Sequence, residues 1–548
     1  MPTEPDPTPV TPGNPAQRAF DTVAAVTTGP AADHGLAESA PAASDSAAVR
    51  AQADPASGNP ATAPITPNPA APRPFPPRSA QVVFPRGVVS AMVVSAVAGA
   101  VLIPLDSPGI GWFLAAAITT AAIAAVDHLA RRTPAAPGKA MESRVRHPYR
   151  ARWWWAALTV ALLSVGVIRA SGWLFACCLL AALTTASITL VGRRSATGLW
   201  FDVLAVPLSA LTMPPWLIRG LGHHTGRAAA TRARLGISLA ATAGLLLIFV
   251  PLLAGGDALF ARLLRSVAPE SDASSVTRWI VVGVLVAAIT AGSLYLLAAP
   301  PVAADTTPAP RALRWRTGEW ALPVGALTTL FALFVGVQLT ALFGGGDYVQ
   351  RTAGLTYAEY ARSGFWQLSA VGILTLAVIA AVLRWAATDT AAQRLWLRAL
   401  LGGLGALTLT IVASALSRMW TYQQAYGFTV LRLLVSACEI WITLLYLMIL
   451  TALIGLRRAW LPRAAVATAA LTLLLLAAAD PERLVADRNI DRWQAGKDLD
   501  IGYLSGLSAD IVPAADRLPE PLRTQLLDPI RARATDHRWQ SWTLARTR

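Results

Sequence analysis

Apolar runs about as long as a lipid bilayer is thick recur along this chain from Gly87 onward. A helix needs about 20 residues to cross the roughly 30 Å hydrocarbon core of a bilayer. Runs near that length lie at 87–105, 110–126, 153–168, 172–191, 235–254, 279–299, 320–343, 365–383, 399–416, 430–455 and 464–479. Because the strands of a membrane barrel alternate apolar and polar residues, unbroken runs predict helices. The sequence therefore predicts an all-α, polytopic transmembrane helix bundle of about 11 spans.

Composition excludes a soluble enzyme and a disulfide-rich secreted fold. Hydrophobic residues make up 54% of the chain and charged residues only 14%, against about 25% charged in an average soluble domain. So little charge cannot cover the apolar surface of a soluble protein of 548 residues. The three cysteines, Cys177, Cys178 and Cys438, lie in apolar runs without metal-ligand spacing. We expect no metal site and no cofactor.

Two polar ends flank the bundle predicted at 85–479. Residues 1–84 hold 17 of the 39 prolines and almost no large apolar residues, which predicts a disordered cytoplasmic tail. Residues 480–548 predict a small helical cap, because 69 residues give only a marginal core alone. In this cap, Asp480 and Pro481 fit a helix start, and Gly496 fits the end of that helix.

Arginine placement predicts the orientation of the bundle. All but two of the 46 basic residues are Arg, and most of them lie in alternate short loops. Since basic loops stay cytoplasmic, this pattern places the N-terminus inside and the cap outside a bacterial plasma membrane. It also explains the net charge of +15 without nucleic-acid binding. The stretch 200–218 carries Asp202 and three prolines, and we interpret it as interfacial or re-entrant; a twelfth span there would invert the later helices.

Two polar segments on the predicted outer side begin with the same Gly-Gly-Asp sequence. One contains Asp257 and Arg262, and the other contains Asp347 and Arg351. The similarity is consistent with an internal repeat of the kind from which transporters build binding sites. It is equally consistent with plain helix ends, in which Gly closes one helix and Asp caps the next.

Other polar segments on this side supply further candidates. Thr356 and Glu359 fit a capping box around Tyr357, so Glu359 is either a helix start or a ligand or catalytic group. Arg418 and Tyr422 lie in a polar segment just before the tenth predicted span. The cap contributes its own polar residues, Arg488, Asn489, Asp500, Tyr503 and Asp510.

Glu439 is the most informative single residue, because it lies about ten residues inside an apolar run. A carboxylate at that depth costs a few kcal/mol unless it is paired or protonated. Arg432 lies two turns earlier on the same helix face, and Arg418 or Gln338 on other helices are alternative partners. Glu439 is therefore a proton or ion site, part of a gating charge pair, or a structural hydrogen-bonding group between helices.

Four sequence segments resemble a known family of bacterial polytopic membrane proteins. They are GGGDYV (344–349), TYAEYARSGFWQL (356–368), YGFTVLR (426–432) and RNIDRWQAGKDLDIGYLSGLSADIVP (488–513). The family is domain of unknown function 4153, with 4173 as a relative, and the resemblance spans roughly 230–548. It implies an integral membrane protein without an established activity, and it supplies no catalytic residues.

We interpret the chain as a non-enzymatic membrane module for transport, sensing or signalling partnership, whose partners are the bilayer, a small ligand or ion, or another protein. Glu359 and Glu439 are the expected ligand or proton groups, with Arg418 and Arg432 as charge partners. The full candidate site comprises Asp257, Arg262, Asp347, Tyr357, Glu359, Arg418, Tyr422, Arg432 and Glu439. One alternative is a membrane-embedded transferase or hydrolase that acts on a lipid-linked substrate. Another is a scaffold whose N-terminal tail recruits a cytosolic partner.

Overall fold

The computed structural model describes residue 82 and residues 84–132, 149–191, 199–225, 273–299, 314–343, 365–456, 458–534 and 538–547, with eight single positions between 242 and 262. These residues are mostly helical, and the extended pairing among them is one isolated bridge between Trp315 and Ala386. The all-helical prediction is therefore confirmed for the described part of the chain.

The described helices of the bundle are, in chain order, α1 (Val88–Leu102), α2 (Ile110–Arg132), α3 (Tyr149–Ile168), α4 (Gly172–Val191), α5 (Leu199–Thr212), α6 (Pro214–Thr225), α7 (Ala273–Ala298), α8 (Thr317–Phe343), α9 (Phe365–Trp385), α10 (Ala391–Tyr426), α11 (Val430–Gly455) and α12 (Leu461–Ala478). Ten of the predicted apolar runs coincide with one of these helices. The eleventh, 235–254, lies almost wholly outside the described residues.

Eight of the described helices, α2, α4 and α7 to α12, are long and apolar enough to cross a membrane. The sequence prediction of about 11 spans exceeds this number by three, because α1 and the apolar part of α3 are shorter than 18 residues and the run at 235–254 lies almost wholly outside the described residues. At 1.5 Å per residue, the 15 residues of α1 extend only about 23 Å.

The proline-containing stretch at 200–218 forms parts of two short helices that stay near one end of the bundle. Proline explains the break, because α6 begins at Pro214, where a missing amide hydrogen is tolerated. On α5, the Val206 amide donates to Ser187 Oγ near the end of α4. On α6, the Trp216 ring packs on Phe84, just before α1, and on Tyr295, near the end of α7. Both ends of the stretch therefore lie at the same end of the bundle, as in an interfacial or re-entrant segment.

The 36-residue α10 packs against α8, α9 and α11. It begins with a capping box, in which Thr390 Oγ1 accepts from the Gln393 amide at 3.2 Å and Gln393 Oε1 accepts from the Thr390 amide at 3.1 Å. Leu397, Leu401 and Leu404 follow at helical spacing and are fully buried. The outward faces of the bundle are apolar too: Leu211, Leu322 and Ile454 are each more than 70% exposed, as expected for lipid contact.

The described residues after α12 form a helical cap with its own apolar interior. Its helices are α13 (Pro481–Gln494), α14 (Ile501–Ser505), α15 (Val512–Ala515) and α16 (Leu522–Ala534). Ile490, Leu504 and Leu526 are at most 1% exposed at its centre. As predicted, α13 begins at Pro481, but the Asp480 side chain does not cap it.

Candidate functional site

The structure describes only some of the residues that the sequence predicted for the candidate site. Asp347, Tyr357 and Glu359 lie outside the described residues. Asp257 Oδ1 accepts from the Leu259 amide at 2.6 Å and the Phe260 amide at 2.9 Å, as a helix-capping aspartate does. Arg262 is exposed.

Arg418 lies between α10 and α8 rather than beside Glu439. Its Nη2 donates to Gln338 Oε1 at 3.1 Å, and the Ser414 hydroxyl donates to the same oxygen at 3.3 Å. Two polar residues that the sequence offered as partners for Glu439 therefore contact each other.

Arg432 closes the end of α10 instead of pairing with Glu439. Its guanidinium donates to the Gly427 carbonyl at 2.5 Å and to Tyr422 Oη at 3.3 Å, and it lies 4.4 Å from the centre of the Tyr422 ring. The negative end of the α10 dipole and the aromatic face both attract this cation. The expected pair of Arg432 with Glu439 is therefore replaced by a cluster of Arg432, Tyr422 and Tyr426.

A polar stripe runs down one face of α11, a helix that is otherwise apolar. Its members follow at alternating intervals of four and three residues, so they share one helix face over about 21 Å. They are Arg432, Ser436, Glu439, Thr443 and Tyr446. The Ser436 hydroxyl accepts from Gln423 Nε2 of α10 at 3.2 Å, and the Tyr446 hydroxyl donates to the Gly372 carbonyl of α9 at 2.6 Å. The stripe thus faces α9 and α10.

Glu439 lies in the middle of this polar stripe and is only 2% exposed. The Ser369 side chain of α9 lies beside its carboxyl group. Apart from this contact with Ser369, Glu439 Oε2 has no hydrogen-bond partner among the described residues. A buried carboxyl oxygen without a partner inside a membrane-spanning helix is the unusual polar feature of the bundle.

The cap forms hydrogen bonds with the turn between α10 and α11. Asn489 accepts from the Phe428 amide at 3.0 Å and donates to the Phe428 carbonyl at 2.8 Å, so it completes the backbone bonding of that residue. Tyr503 Oη accepts from the Val430 amide at 2.8 Å, and Arg492 donates to the carbonyls at the end of α10. Burial raises the pKa of the Tyr503 hydroxyl. The sequence showed that both the end of α10 and the cap are polar, but it did not predict that they contact each other.

A second polar cluster joins the cap to the turn between α3 and α4. Arg169 pairs with Asp480 Oδ2 and also donates to the Ala477 carbonyl at 2.9 Å, at the end of α12. Asp510 Oδ2 accepts from the Ala170 and Ser171 amides, each at 3.0 Å. The Asp480 side chain therefore leaves its capping position because Arg169 supplies a charged partner. Sequence reasoning counted Arg169 only as a loop charge and missed this cluster.

Glu482 is the third carboxylate in this region. Its oxygens accept from Trp173 Nε1 at 2.9 Å and from the Ser508 amide at 2.6 Å. Burial is the main cause that raises the pKa values of Asp480 and Asp510, and the negative charges of nearby carboxylates add to it. In the described ranges, no group of three or more His, Cys, Asp or Glu residues is arranged to hold a metal ion.

Eight helices that are long and apolar enough to cross a bilayer, under a polar cap, define a multi-pass integral membrane protein. A family model described as domain of unknown function (DUF4153) matches residues 157–518, more than half of the chain. The chain therefore belongs to this family, as the resemblance indicated. The match begins nearer the N-terminus than the resemblance did, and it excludes α1, α2 and the last described residues. Searches of the curated proteins and of the solved structures found no match.

Proposed function

We propose that the protein is a non-enzymatic transport or sensing module of the bacterial plasma membrane, in which Glu439 exchanges a proton or a small cation. The observation that carries the proposal is the burial of this carboxyl, with one oxygen unpartnered among the described residues. Glu439 lies about 14 Å along α11, so an ionised carboxylate there costs on the order of 3 kcal/mol. A bound proton or cation removes most of that cost.

The polar stripe supports a path for the exchanged ion. Side chains with hydrogen-bonding groups lie above and below Glu439 on the same helix face, from Arg432 to Tyr446. Such stripes are rare in lipid-embedded helices, because each polar group needs a partner in place of water. Proton relays in membrane proteins are built from chains of this kind.

We further propose that the cap lies outside the cell and the N-terminus inside. The end of the bundle that lies away from the cap is rich in arginine: Arg394 and Arg398 lie near the start of α10, and Arg458 follows the end of α11. Basic residues concentrate on the cytoplasmic side, which supports this orientation.

The test is proton movement through purified protein in liposomes that carry an internal pH-sensitive dye. An imposed pH gradient should collapse faster with the wild-type chain than in empty liposomes, and Glu439→Gln should remove most of the difference, because the amide keeps the shape but exchanges no proton. A hydrophobic carbodiimide, which modifies protonated carboxyl groups in membranes, should label Glu439 in the wild-type protein.

Cys438→Ser provides the matched control. Cys438 is the preceding residue of α11 but is exposed, so this variant should keep wild-type flux and labelling. Equal flux in wild-type and Glu439→Gln liposomes, together with no label on Glu439, would remove the proposal.

A further inference from the structure

A small cavity lies where the cap meets the bundle, well away from Glu439. Its volume is about 60 Å³, which is room for a small ion together with water. It is lined by Arg169, Asp480 and Asp510 together with apolar residues from the same parts of the chain. The walls thus come from the turn after α3, the start of α13 and two segments of the cap.

Two carboxyl oxygens in this cavity wall have no partner among the described residues. They are Asp480 Oδ1 and Asp510 Oδ1, and Asp510 as a whole is only 3% exposed. Two hydroxyl oxygens on an adjoining segment, those of Ser541 and Thr543, are also buried without a described partner. A buried oxygen without a hydrogen bond loses its hydration and gains nothing in return, so such a concentration calls for a compensating group.

The guanidinium of Arg169, which also lines the cavity, already bonds to other groups. Arg169 donates to Asp480 Oδ2 and to the carbonyls of Ala477 and Ala478, which are at the negative end of the α12 dipole. Asp510 Oδ2 accepts from the amides of Ala170 and Ser171, in the turn before α4, and from the Ser508 hydroxyl. The other oxygen of each carboxylate lies on the cavity side of these bonds, and a cation there would offset both the burial and the mutual repulsion of Asp480 and Asp510, which raise the pKa of Asp480.

We propose that this cavity binds one hard cation through Asp480 Oδ1 and Asp510 Oδ1, and that the ion fastens the cap to the bundle. The described donors that face it are oxygens, without His or Cys, which favours group 2 ions over transition metals. Two carboxylates with room for water suit Ca²⁺, whose coordination is flexible. This site is independent of the function proposed for Glu439.

The experiment uses the full-length protein in detergent after treatment with a chelator. Ca²⁺ should raise the unfolding temperature by about 2–4 °C and should saturate, since a ligand of the folded state stabilises it by mass action. Choline chloride at matched ionic strength should have no such effect, and Mg²⁺ and Na⁺ show how selective the site is. Asp510→Asn and Asp480→Asn should each lose the Ca²⁺ response. Asp498→Asn, which changes an exposed carboxylate of the cap, should keep it.

Terbium luminescence tests the site without a variant that must fold. Trp173 contacts Glu482 of the same cluster, so its excitation should sensitise one bound Tb³⁺, and Ca²⁺ should displace the ion. The proposal fails if Tb³⁺ shows no saturable emission. It also fails if folded Asp510→Asn responds to Ca²⁺ as the wild type does, or if only a change of pH, and no cation, stabilises the protein.

Discussion

Gly427 shows how one residue can depend on a distant part of the chain. It ends α10 with a φ of +89°, in the left-handed region that favours glycine. A Cβ built on it would lie 2.9 Å from Asn489 Oδ1 and 2.9 Å from Arg492 Nη1 of the cap. The backbone conformation is a local requirement, whereas the close approach of the cap is a tertiary one.

We expect Gly427→Ala to destabilise the protein more than Gly496→Ala. Both glycines have a positive φ, so both variants strain the backbone, and the strain is larger at Gly427, whose ψ of 164° belongs to a region that essentially only glycine adopts. Only at Gly427 does the added methyl meet other side chains, because nothing lies within 4 Å of a Cβ at Gly496. Denaturant unfolding of both variants measures the difference. An equal loss would mean that the cap yields freely at this turn.

At the scale of helices, arginine side chains donate hydrogen bonds to the C-terminal ends of neighbouring helices. The last carbonyls of a helix lack partners within it and carry the negative end of its dipole. Arg169 donates to the end of α12, Arg398 to the end of α11, and Arg458 to the end of α9. Arginines that indicate topology in the sequence therefore also hold helices together in the structure.

Arg398→Lys should lower stability even though the charge is retained. The guanidinium donates from Nε to the Leu453 carbonyl at 3.1 Å and from Nη2 to the Ile454 carbonyl at 3.0 Å. A lysine ammonium lacks this fork, so we expect a loss of about 1 kcal/mol, measured by thermal unfolding. Arg384→Lys, at an exposed position of the same end of the bundle, should have little effect. A similar loss of stability in the two variants would show that the two hydrogen bonds of Arg398 are not its cause.

At the scale of the molecule, the cap connects turns that are far apart in sequence. The Trp542 carbonyl accepts from the Ile110 amide at the start of α2, Asp510 accepts from the turn between α3 and α4, and Asn489 binds the turn before α11. These three turns fall on one side of the membrane in the arrangement predicted from the apolar runs. Arg278, near the start of α7, also bonds to Asp106 in the first of these turns.

The proposed orientation predicts which end of the bundle a reagent reaches. In a chain whose three cysteines are replaced, Asp498→Cys in the cap should react with a membrane-impermeant maleimide on intact cells. A cysteine at Arg458, at the opposite end, should react only after permeabilisation. Modification is read by mass spectrometry, and the reverse pattern would place the cap in the cytoplasm.

Much of the bundle was predictable because its signals are local. A run of apolar residues specifies a helix in lipid without reference to the rest of the chain, and Pro481 and Gly496 bound α13 as their backbone preferences require. Glu439 stood out for the same reason, since a charge in an apolar run is visible in sequence. Arg432, the expected partner of Glu439, instead contacts the end of α10 and the Tyr422 ring. The sequence could not predict this, because the partner of a guanidinium depends on how the helices pack.

The sequence by itself determined that the chain is a helical membrane protein with a polar cap, because hydrophobic length and helix-ending residues act over a few turns. Only the packing of the helices set three other features: the pairing of Asp480 with Arg169, the hydrogen bonds that Asp510 accepts from the turn before α4, more than 300 residues away, and the polar stripe that faces α9 and α10. These arrangements arise where buried polar groups choose among partners from distant segments, and such choices are made only when the helices pack.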